Sequence, residues 1–264
     1  MKKREILYFY GALILLAILI SVAGLLYRNG YRLQGFHLGK AGNLEVAVYE
    51  AGSKIFIDNK LQKITETEEE IIQFNNITQG KHTVAVTKEG YVPWEKEIEV
   101  TQFSTEKVSS FLSPVSIALT KITDPKDMEQ ILYLFEHPKE KMGPTTRRLM
   151  GKTALWADST SVYMQWMADL NTIPRYFCSS SGVCSVDSIA VFHSGTPIVN
   201  VDFYKTRENI FLVAHGETID AIEIGDTGQA RSYSLYKGSA PTFYKISENT
   251  FYIKDGKNIF RADI

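Results

Sequence analysis

Hydrophobic and polar positions follow several successive patterns along this chain. Ile6–Tyr27 is an uninterrupted apolar run without a charged residue. From residue 42 to 113 apolar and polar residues alternate, which is the period of strands half-buried in a sheet. After a stretch with helical spacing, short alternating segments return from residue 151 to 264. The pattern predicts a mainly β protein with an N-terminal transmembrane helix, a small antiparallel β-sandwich and a second β-rich domain.

The apolar run is long enough to cross a bilayer as a helix. A hydrocarbon core of about 30 Å needs roughly 20 apolar residues at about 1.5 Å of rise each, and Ile6–Tyr27 meets this length with little excess. The alternative is a cleaved signal peptide, because Ser21 and Ala23 are small residues at the right spacing for a cut before Gly24. The apolar residues that continue after Gly24 favour an uncleaved anchor.

The lengths and charges on the two sides of this run predict its orientation. Lys2, Lys3 and Arg4 precede it, but other basic residues follow it, so the charge count alone discriminates little. Residues 1–5 lie on one side and the whole body lies on the other, and long domains are translocated largely regardless of their charge. We therefore expect residues 1–5 in the cytoplasm and the C-terminal body outside it.

Turn signals divide residues 42–113 into short strands. Gly52, Gly80 and Gly90 mark turns between the alternating segments, and Gly80 and Gly90 fit turn positions that need a positive φ, which glycine adopts without strain. About 70 residues suffice for a small sandwich if the inward faces fill a common core. The predicted inward positions are Val46, Val48, Ile55, Ile57, Val84 and Val86.

The segment GKHTVAVTKEGYVPWEKEIEV, residues 80–100, resembles the second half of a PEGA domain, in which a G-x-H strand leads to a G-Y turn followed by an aromatic residue. In the first half, Gly52 and Asp58 stand where the family has them. The resemblance implies an extracytoplasmic β-sandwich used in envelope or surface proteins, without catalytic residues. Three departures from the family pattern predict a looser turn in the first half: Glu50 for proline, Ser53 for alanine and Asn59 for glycine.

Residues 114–150 change character and are predicted to form a helix-containing linker. Asp124 followed by Pro125 is typical of an N-cap with proline in the first helical position. Apolar residues then recur at helical spacing as far as Phe135. The polar stretch with glycine and proline at residues 139–148 is the best candidate for a hinge.

Residues 151–264 contain short strand-like segments about ten residues apart, without long helices between them. This spacing predicts a sandwich, barrel or propeller. Residues 198–224, IVNVDFYKTRENIFLVAHGETIDAIEI, resemble a β-propeller blade of the Tol-associated type. Four strands per blade would give nearly three blades, whereas propellers close with about 4 to 8. The alternatives are therefore an incomplete propeller and an open antiparallel sheet. The predicted segments are TALWA, SVYMQW, RYFC, SIAVF, IVNVDFY, NIFLVA, TIDAIEI, RSYSLY, TFYKI, TFYIKD and NIFRADI.

Cys178 and Cys184 are the two cysteines, and they flank a tip rich in serine and glycine. In an oxidising compartment this spacing favours a disulfide across a tight hairpin, and closing such a loop stabilises a fold by about 2–3 kcal/mol. Free buried thiols are the alternative. A metal site is disfavoured because the nearest histidine is His193 and the spacing is not that of a zinc half-site.

Charge and motifs exclude several functional classes. The formal net charge is −1 with signs well mixed, so the chain has no basic stripe for nucleic acid. No phosphate-binding loop, nucleophile elbow, zinc-binding helix motif or calcium loop occurs in the sequence, and the histidines are dispersed. Asp220 and Glu223 stand three apart and would face opposite sides of a strand, which disfavours a paired acid and base. We therefore predict no catalytic residue, cofactor or metal.

These observations predict a membrane-anchored binding or scaffold protein of the cell envelope, whose partner is an envelope polymer or protein. Aromatic side chains near turns are the first candidates for ligand contact, since rings supply large contact area at small entropic cost. For each ring the alternative is that it closes a core. A second class of function, an envelope glycan or peptide hydrolase, would need carboxylates brought together from distant positions. The candidate contact residues are Trp94, Trp166 and Tyr236.

Overall fold

The computed structural model describes residues 3–29, 31–34, 37–137, 145–178, 182–226 and 228–264. The chain forms two compact units, Met1–Leu112 and Ser113–Ile264. Most of the polar stretch predicted as a hinge, residues 139–144, lies outside the described residues, as do residues 1–2 of the predicted cytoplasmic tail.

The first unit begins with helix α1, Lys3–Arg28, which contains the whole apolar run. Its 26 residues reach roughly 39 Å at about 1.5 Å of rise per residue. Within it, Tyr10–Arg28 has a mean hydropathy of 2.3, and its apolar side chains are not buried against protein. In the described part of the chain this is the one helix long and apolar enough to span a membrane, by length and composition. Membrane anchors and N-terminal signal sequences share these properties.

The rest of the first unit contains two four-stranded sheets. Its strands are β1 (Tyr31–Gln34), β2 (His37–Val48), β3 (Lys54–Ile57), β4 (Lys60–Ile64), β5 (Glu70–Thr78), β6 (Gly80–Thr87), β7 (Trp94–Val100) and β8 (Thr105–Ser109). In one sheet β2 pairs with β1, β5 and β8, and the other sheet has the order β4-β3-β6-β7. The pairing of β2 with β8 is parallel, whereas the sequence predicted an antiparallel sandwich throughout.

The inward positions predicted from alternation form the core of this unit. Val46, Val48, Ile55, Val84 and Val86 are fully buried, and Ile57 is nearly so. Leu44 and Trp94 are buried with them. The prediction is confirmed because successive side chains of a strand point to opposite faces, so an alternating sequence places one set inside.

The tight turns of this unit use left-handed backbone, as predicted for Gly80 and Gly90. Gly52 has φ 76°, Gly80 has φ 133° and Gly90 has φ 81°. Between β3 and β4 the two turn residues Asp58 and Asn59 have φ 50° and 63°. A two-residue hairpin turn with both φ values positive suits asparagine and aspartate as well as glycine. The replacement of the family's glycine by Asn59 thus leaves the turn tight.

Among its described residues, the second unit contains one α-helix and three four-stranded antiparallel sheets. Their orders are β10-β11-β12-β13, β14-β15-β16-β17 and β18-β19-β20-β9, and no sheet among the described residues closes into a barrel. The elements are β9 (Ala118–Lys121), α2 (Pro125–Glu136), β10 (Arg148–Met150), β11 (Thr153–Ala157), β12 (Ser161–Trp166), β13 (Ile189–His193), β14 (Ile198–Phe203), β15 (Ile210–His215), β16 (Thr218–Ile224), β17 (Ala230–Lys237), β18 (Pro241–Lys245), β19 (Thr250–Asp255) and β20 (Asn258–Asp263).

Residues assigned to a linker from the sequence contribute to this second unit. Strand β9 pairs with β20 as the outermost strand of the last sheet. Helix α2 begins as predicted, because the Asp124 carboxylate accepts hydrogen bonds from two backbone N–H groups of the first turn. On its apolar face Ile131 is buried, and the Phe135 ring contacts Tyr244 of β18 at a centroid distance of 6.1 Å.

One predicted strand, RYFC, is a 3-10 helix over Arg175–Phe177. Pro174 precedes it and fixes its own φ, which suits the start of a helical turn. Cys178 follows and forms the disulfide with Cys184, and the two residues also make an isolated antiparallel bridge. The predicted disulfide is therefore present, at the end of a helical turn instead of between two long strands.

The two central strands of the middle sheet of the second unit are buried on both faces. All residues of β15 from Ile210 to Ala214 are buried, and so are all residues of β16 from Ile219 to Ile224. One face packs with the first sheet in a cluster that includes Leu155 and Phe211. The other face meets the third sheet, where the buried Asn200 amide donates to the Phe243 carbonyl at 2.9 Å.

Candidate binding surface

The three aromatic residues predicted to contact a ligand occupy different environments. Trp94 is 3% exposed and Trp166 is 6% exposed, so both rings are buried in the cores of their units. Tyr236 is half-buried, and its hydroxyl donates to the Asp255 carboxylate at 3.0 Å. Burial and this carboxylate raise the pKa of Tyr236 to about 12. Its hydroxyl is thus held within the protein, beside the Phe260 ring.

An aromatic pair that sequence reasoning missed lies on the outer face of the first sheet of the second unit. Trp156 of β11 stands directly opposite Tyr163 of β12. Their rings are nearly parallel, with an interplanar angle of 17° and centroids 5.9 Å apart. The Arg147 guanidinium lies 4.3 Å from the Trp156 ring centroid. We call Arg147, Trp156 and Tyr163 the aromatic platform.

Alternation along the two strands explains this placement. Leu155 and Val162 point into the core, so Trp156 and Tyr163 lie on the opposite face of the sheet, where both are half-buried. The short connection between β11 and β12 then brings the rings together across the sheet. The sequence TALWADSTSVYMQW contains a signal for this ring pair. Two adjacent strands joined by a short turn place their outward-facing residues opposite each other.

Polar groups border the aromatic platform. The Asp158 carboxylate accepts hydrogen bonds from the backbone N–H groups of Thr160 and Ser161 and from the Tyr163 hydroxyl, the last at 2.9 Å. The backbone hydrogen bonds hold the pKa of Asp158 below its ordinary value, and the carboxylate raises the pKa of Tyr163. His193 is exposed beside Ser161, with 3.1 Å between Nδ1 and Oγ. Planar apolar area with a cationic and a polar border suits recognition of a ring or a planar group.

Serine, histidine and aspartate side chains meet elsewhere in the second unit. Ser194 Oγ lies 2.9 Å from His215 Nδ1, and His215 Nε2 lies 3.2 Å from Asp220 Oδ2. Ser232 donates to the same Asp220 oxygen, and Asp220 Oδ1 is buried without a hydrogen-bond partner among the described residues. However, Ser194 is only 2% exposed and its Oγ also accepts from the Thr196 N–H. These hydrogen bonds connect neighbouring strands of the second unit, and the Ser194 hydroxyl is buried instead of facing a substrate.

The first unit holds a histidine between two acceptors. His82 Nδ1 lies 2.7 Å from Asp58 Oδ2, and His82 Nε2 lies 2.7 Å from the Thr78 carbonyl oxygen. Asp58 Oδ1 accepts from the Thr83 N–H at 3.0 Å. Burial raises the pKa of Asp58, but the bonds from His82 and Thr83 outweigh it and hold that pKa below 3.8. The β3–β4 turn is thereby fastened to β6 through the G-x-H histidine.

The structure contains the three features of the PEGA pattern noted in the sequence. They are the turn bonded to the G-x-H histidine, the G-Y turn after β6 and the buried tryptophan that follows it. Residues 41–116 match the PEGA domain. The PEGA match indicates an extracellular or surface-associated role. No curated protein matches the chain.

The PEGA domain of this chain compensates for its departures in the first turn. Ser53, which replaces alanine, is fully buried, and its hydroxyl donates to the Glu50 carbonyl at 2.7 Å. Thr65 Oγ1 donates to the same carbonyl at 2.9 Å and accepts from the Ser53 N–H at 2.8 Å. The predicted looseness of this turn is therefore wrong, because side-chain hydrogen bonds replace the rigidity of proline.

Replacing Asp58 with asparagine tests this fastening in the PEGA domain. Asparagine tolerates positive φ and still accepts from Thr83, so the change removes only the charge. At neutral pH we expect a loss of about 1 kcal/mol, discounted because half of the Asp58 side chain is exposed. The native carboxylate has a lowered pKa, so its contribution is present above pH 3.8 and disappears as pH falls through the folded value.

The measurement is urea unfolding of the wild type and D58N at pH values from neutral to about 2. Unfolding is monitored through hydrogen exchange of peptides from the PEGA domain. The two stabilities should converge in acid. Glu97→Gln, in the exposed pair with Lys81, is the control and should leave stability unchanged. A constant difference between wild type and D58N at all pH values would contradict the assignment.

Proposed function

We propose that this chain is a membrane-anchored, extracytoplasmic binding or scaffold protein of the cell envelope. The observation that carries the proposal is an apolar helix, Lys3–Arg28, followed directly by a PEGA domain at residues 41–116. The helix would remain uncleaved and hold the chain with its N-terminus in the cytoplasm. Both units would then face the outside, where PEGA domains are expected and where the Cys178–Cys184 disulfide persists.

The partner in this proposal is an envelope polymer or protein bound at the aromatic platform. Trp156 and Tyr163 offer adjacent ring surfaces, while Arg147 and Asp158 add one charge of each sign at the border. Tryptophan, tyrosine and arginine are the residues that most often dominate binding energy at interfaces. The second unit would present this surface, and the PEGA domain would act as the spacer next to the membrane.

The test is co-sedimentation of the full chain with isolated cell-wall polymer and, separately, crosslinking to envelope proteins. Trp156→Ala with Tyr163→Ala should weaken binding at least about tenfold, which corresponds to about 1.4 kcal/mol. Tyr133→Ala is the matched control, because Tyr133 is 60% exposed, lies on α2 and stacks on His137, which follows that helix. Equal loss of binding in Tyr133→Ala, or unchanged binding in the double variant, would exclude the aromatic platform as the binding surface.

A hydrolase is the second candidate, favoured by the contacts among Ser194, His215 and Asp220. A serine nucleophile must reach substrate, and burial of Ser194 opposes this role. A fluorophosphonate probe, which labels accessible activated serines, should therefore leave the full chain unlabelled. Labelling that Ser194→Ala abolishes would replace the binding proposal with the enzyme.

A further inference from the structure

An open cleft lies where α1 ends and the sandwich begins. It is lined by Arg28, Asn29, Tyr31, Lys40 and Phe103. Arg28 is the last residue of both α1 and the candidate membrane span. We call this feature the helix-end cleft.

The helix-end cleft combines cations with aromatic rings. The β1–β2 hairpin places Tyr31 directly opposite Lys40. Lys40 Nζ lies 5.4 Å from the centroid of the Tyr31 ring and 5.0 Å from that of the Phe103 ring, so the ammonium group is within cation–π distance of both rings. Within the described part of the chain, neither Lys40 nor Arg28 has a carboxylate within ion-pairing distance. Both positive charges are available to an external anion.

Phe103 is an unusual residue for its position. It stands at the tip of the turn from Thr101 to Ser104, with φ 58° and 64% of its surface exposed. A turn position with positive φ favours glycine or asparagine, and a bulky aromatic residue there is strained. In return the ring has the cation–π contact with Lys40, and it stays largely exposed. Strain at an exposed position of this kind points to a contact outside the chain.

The turn that carries Phe103 is fixed against β2. The Phe103 N–H donates to the Ala41 carbonyl at 3.1 Å, and the Asn43 N–H donates to the Ser104 carbonyl at 2.8 Å. Gly42 lies between them, where a Cβ atom would stand 2.3 Å from the Thr101 carbonyl oxygen. The backbones can approach this closely only because residue 42 has no side chain. The ring is therefore held in place beside the helix end.

We propose that the helix-end cleft binds the phosphate headgroups of anionic lipids, with the Phe103 ring inserted among the headgroups. This inference rests on the proposed membrane anchor, because a spanning α1 would place Arg28 at the membrane surface. Arg28 and Lys40 supply the positive charge that a phosphate requires, and basic residues near an anionic surface bind it electrostatically. Tyrosine is enriched at the membrane–water interface, and phenylalanine side chains can insert at the headgroup boundary, which fits Tyr31 and Phe103. The PEGA domain would thus be seated on the bilayer instead of swinging on its helix.

The experiment places the photocrosslinking amino acid p-benzoylphenylalanine at position 103 in the full chain. The chain is reconstituted in nanodiscs of phosphatidylcholine, alone or with an equal amount of phosphatidylglycerol. Ile71 provides the matched control position, because it is also 64% exposed. It pairs with Ala47 on β2, six residues beyond the Ala41 contact of Phe103, which corresponds to about 20 Å along the strand.

Position 103 should crosslink to lipid and position 71 should not, and phosphatidylglycerol should raise the yield. Lys40→Gln should reduce this phosphatidylglycerol effect about fivefold, as expected for one basic residue near the surface, whereas Lys54→Gln on the other sheet should not. Equal yields at positions 103 and 71, or a yield independent of phosphatidylglycerol, would overturn the inference. A chain that is not retained in nanodiscs defeats the anchor as well, whereas retention without crosslinking at 103 defeats only the lipid site.

Phe103→Asn separates lipid contact from a structural role. Asparagine adopts positive φ readily, so the variant should melt at the same temperature as the wild type or higher. It should also retain less phosphatidylglycerol when released from mixed nanodiscs and weighed by native mass spectrometry. A lower melting temperature with lipid retention unchanged would show that the ring serves the fold, and would contradict the proposal.

Discussion

Trp94→Ala is expected to unfold the PEGA domain while the second unit stays folded. Trp94 is 3% exposed in a core built from short strands, and removing a buried tryptophan costs about 3–5 kcal/mol. A unit of this size has little stability to lose, since whole domains are stable by only about 5–15 kcal/mol. The two compact units of the chain allow one to lose its structure independently.

Hydrogen exchange of the full chain measures this effect unit by unit. In W94A, peptides from residues 42–113 should exchange rapidly, while peptides from β14 to β16 keep the protection of the wild type. Trp156→Ala is the control for loss of a tryptophan, because that ring lies on an outer face, and its effect should be about 1 kcal/mol or less. If W94A leaves the PEGA peptides protected, the ring is not essential to that core. If both units lose protection together, they unfold as one.

Leu16→Arg is expected to remove the chain from the membrane. Leu16 lies in the middle of α1 and is 53% exposed. An arginine at the centre of a spanning helix opposes insertion by about 2.5–3.5 kcal/mol. Leu61→Arg is a close control, because Leu61 of β4 is 52% exposed in the PEGA domain and should tolerate a charge.

Fractionation of cells and protease treatment of intact protoplasts provide the measurements. Wild type and L61R should remain in membranes with the C-terminal body digested from outside, whereas L16R should be depleted from that fraction. Protection of the body in the wild type would reverse the predicted orientation. A wild-type chain that is shortened near Gly24 and released would identify α1 as a cleaved signal sequence.

Alternation was a sufficient guide to the strands because a half-buried strand must repeat every two residues. Val84 and Val86 were assigned to the PEGA core on this basis, and nearly all strands predicted in the second unit are present. Arg175–Phe177 was misassigned because three residues carry too little periodicity to distinguish a strand from a 3-10 turn. Proline at position 174 was the local signal that could have corrected the prediction.

The sequence pattern does not show which distant strands pair with each other. Nothing in the alternation of Thr105–Ser109 distinguishes a parallel partner from an antiparallel one, and nothing in Ala118–Lys121 identifies β20 as its neighbour. For a related reason the sequence does not determine which candidate aromatic residues are exposed. Trp94 and Trp166 were chosen for size and proximity to turns, whereas exposure depends on which face of a strand a residue occupies. The resemblance of the second unit to an incomplete propeller stays a prediction.

The pairing of β9 with β20 also constrains the order in which the second unit can fold. Strand β9 emerges from the ribosome first among the strands of this unit, and its partner, Asn258–Asp263, emerges last. During synthesis the last sheet therefore cannot be completed until the intervening strands have been made, and this contact of high sequence separation is intrinsically slow to form. A nascent chain interrupted before β20 would leave β9 with an unpaired strand edge, which proteases and other chains can recognise. The last sheet is thus completed only after β20 has been synthesised.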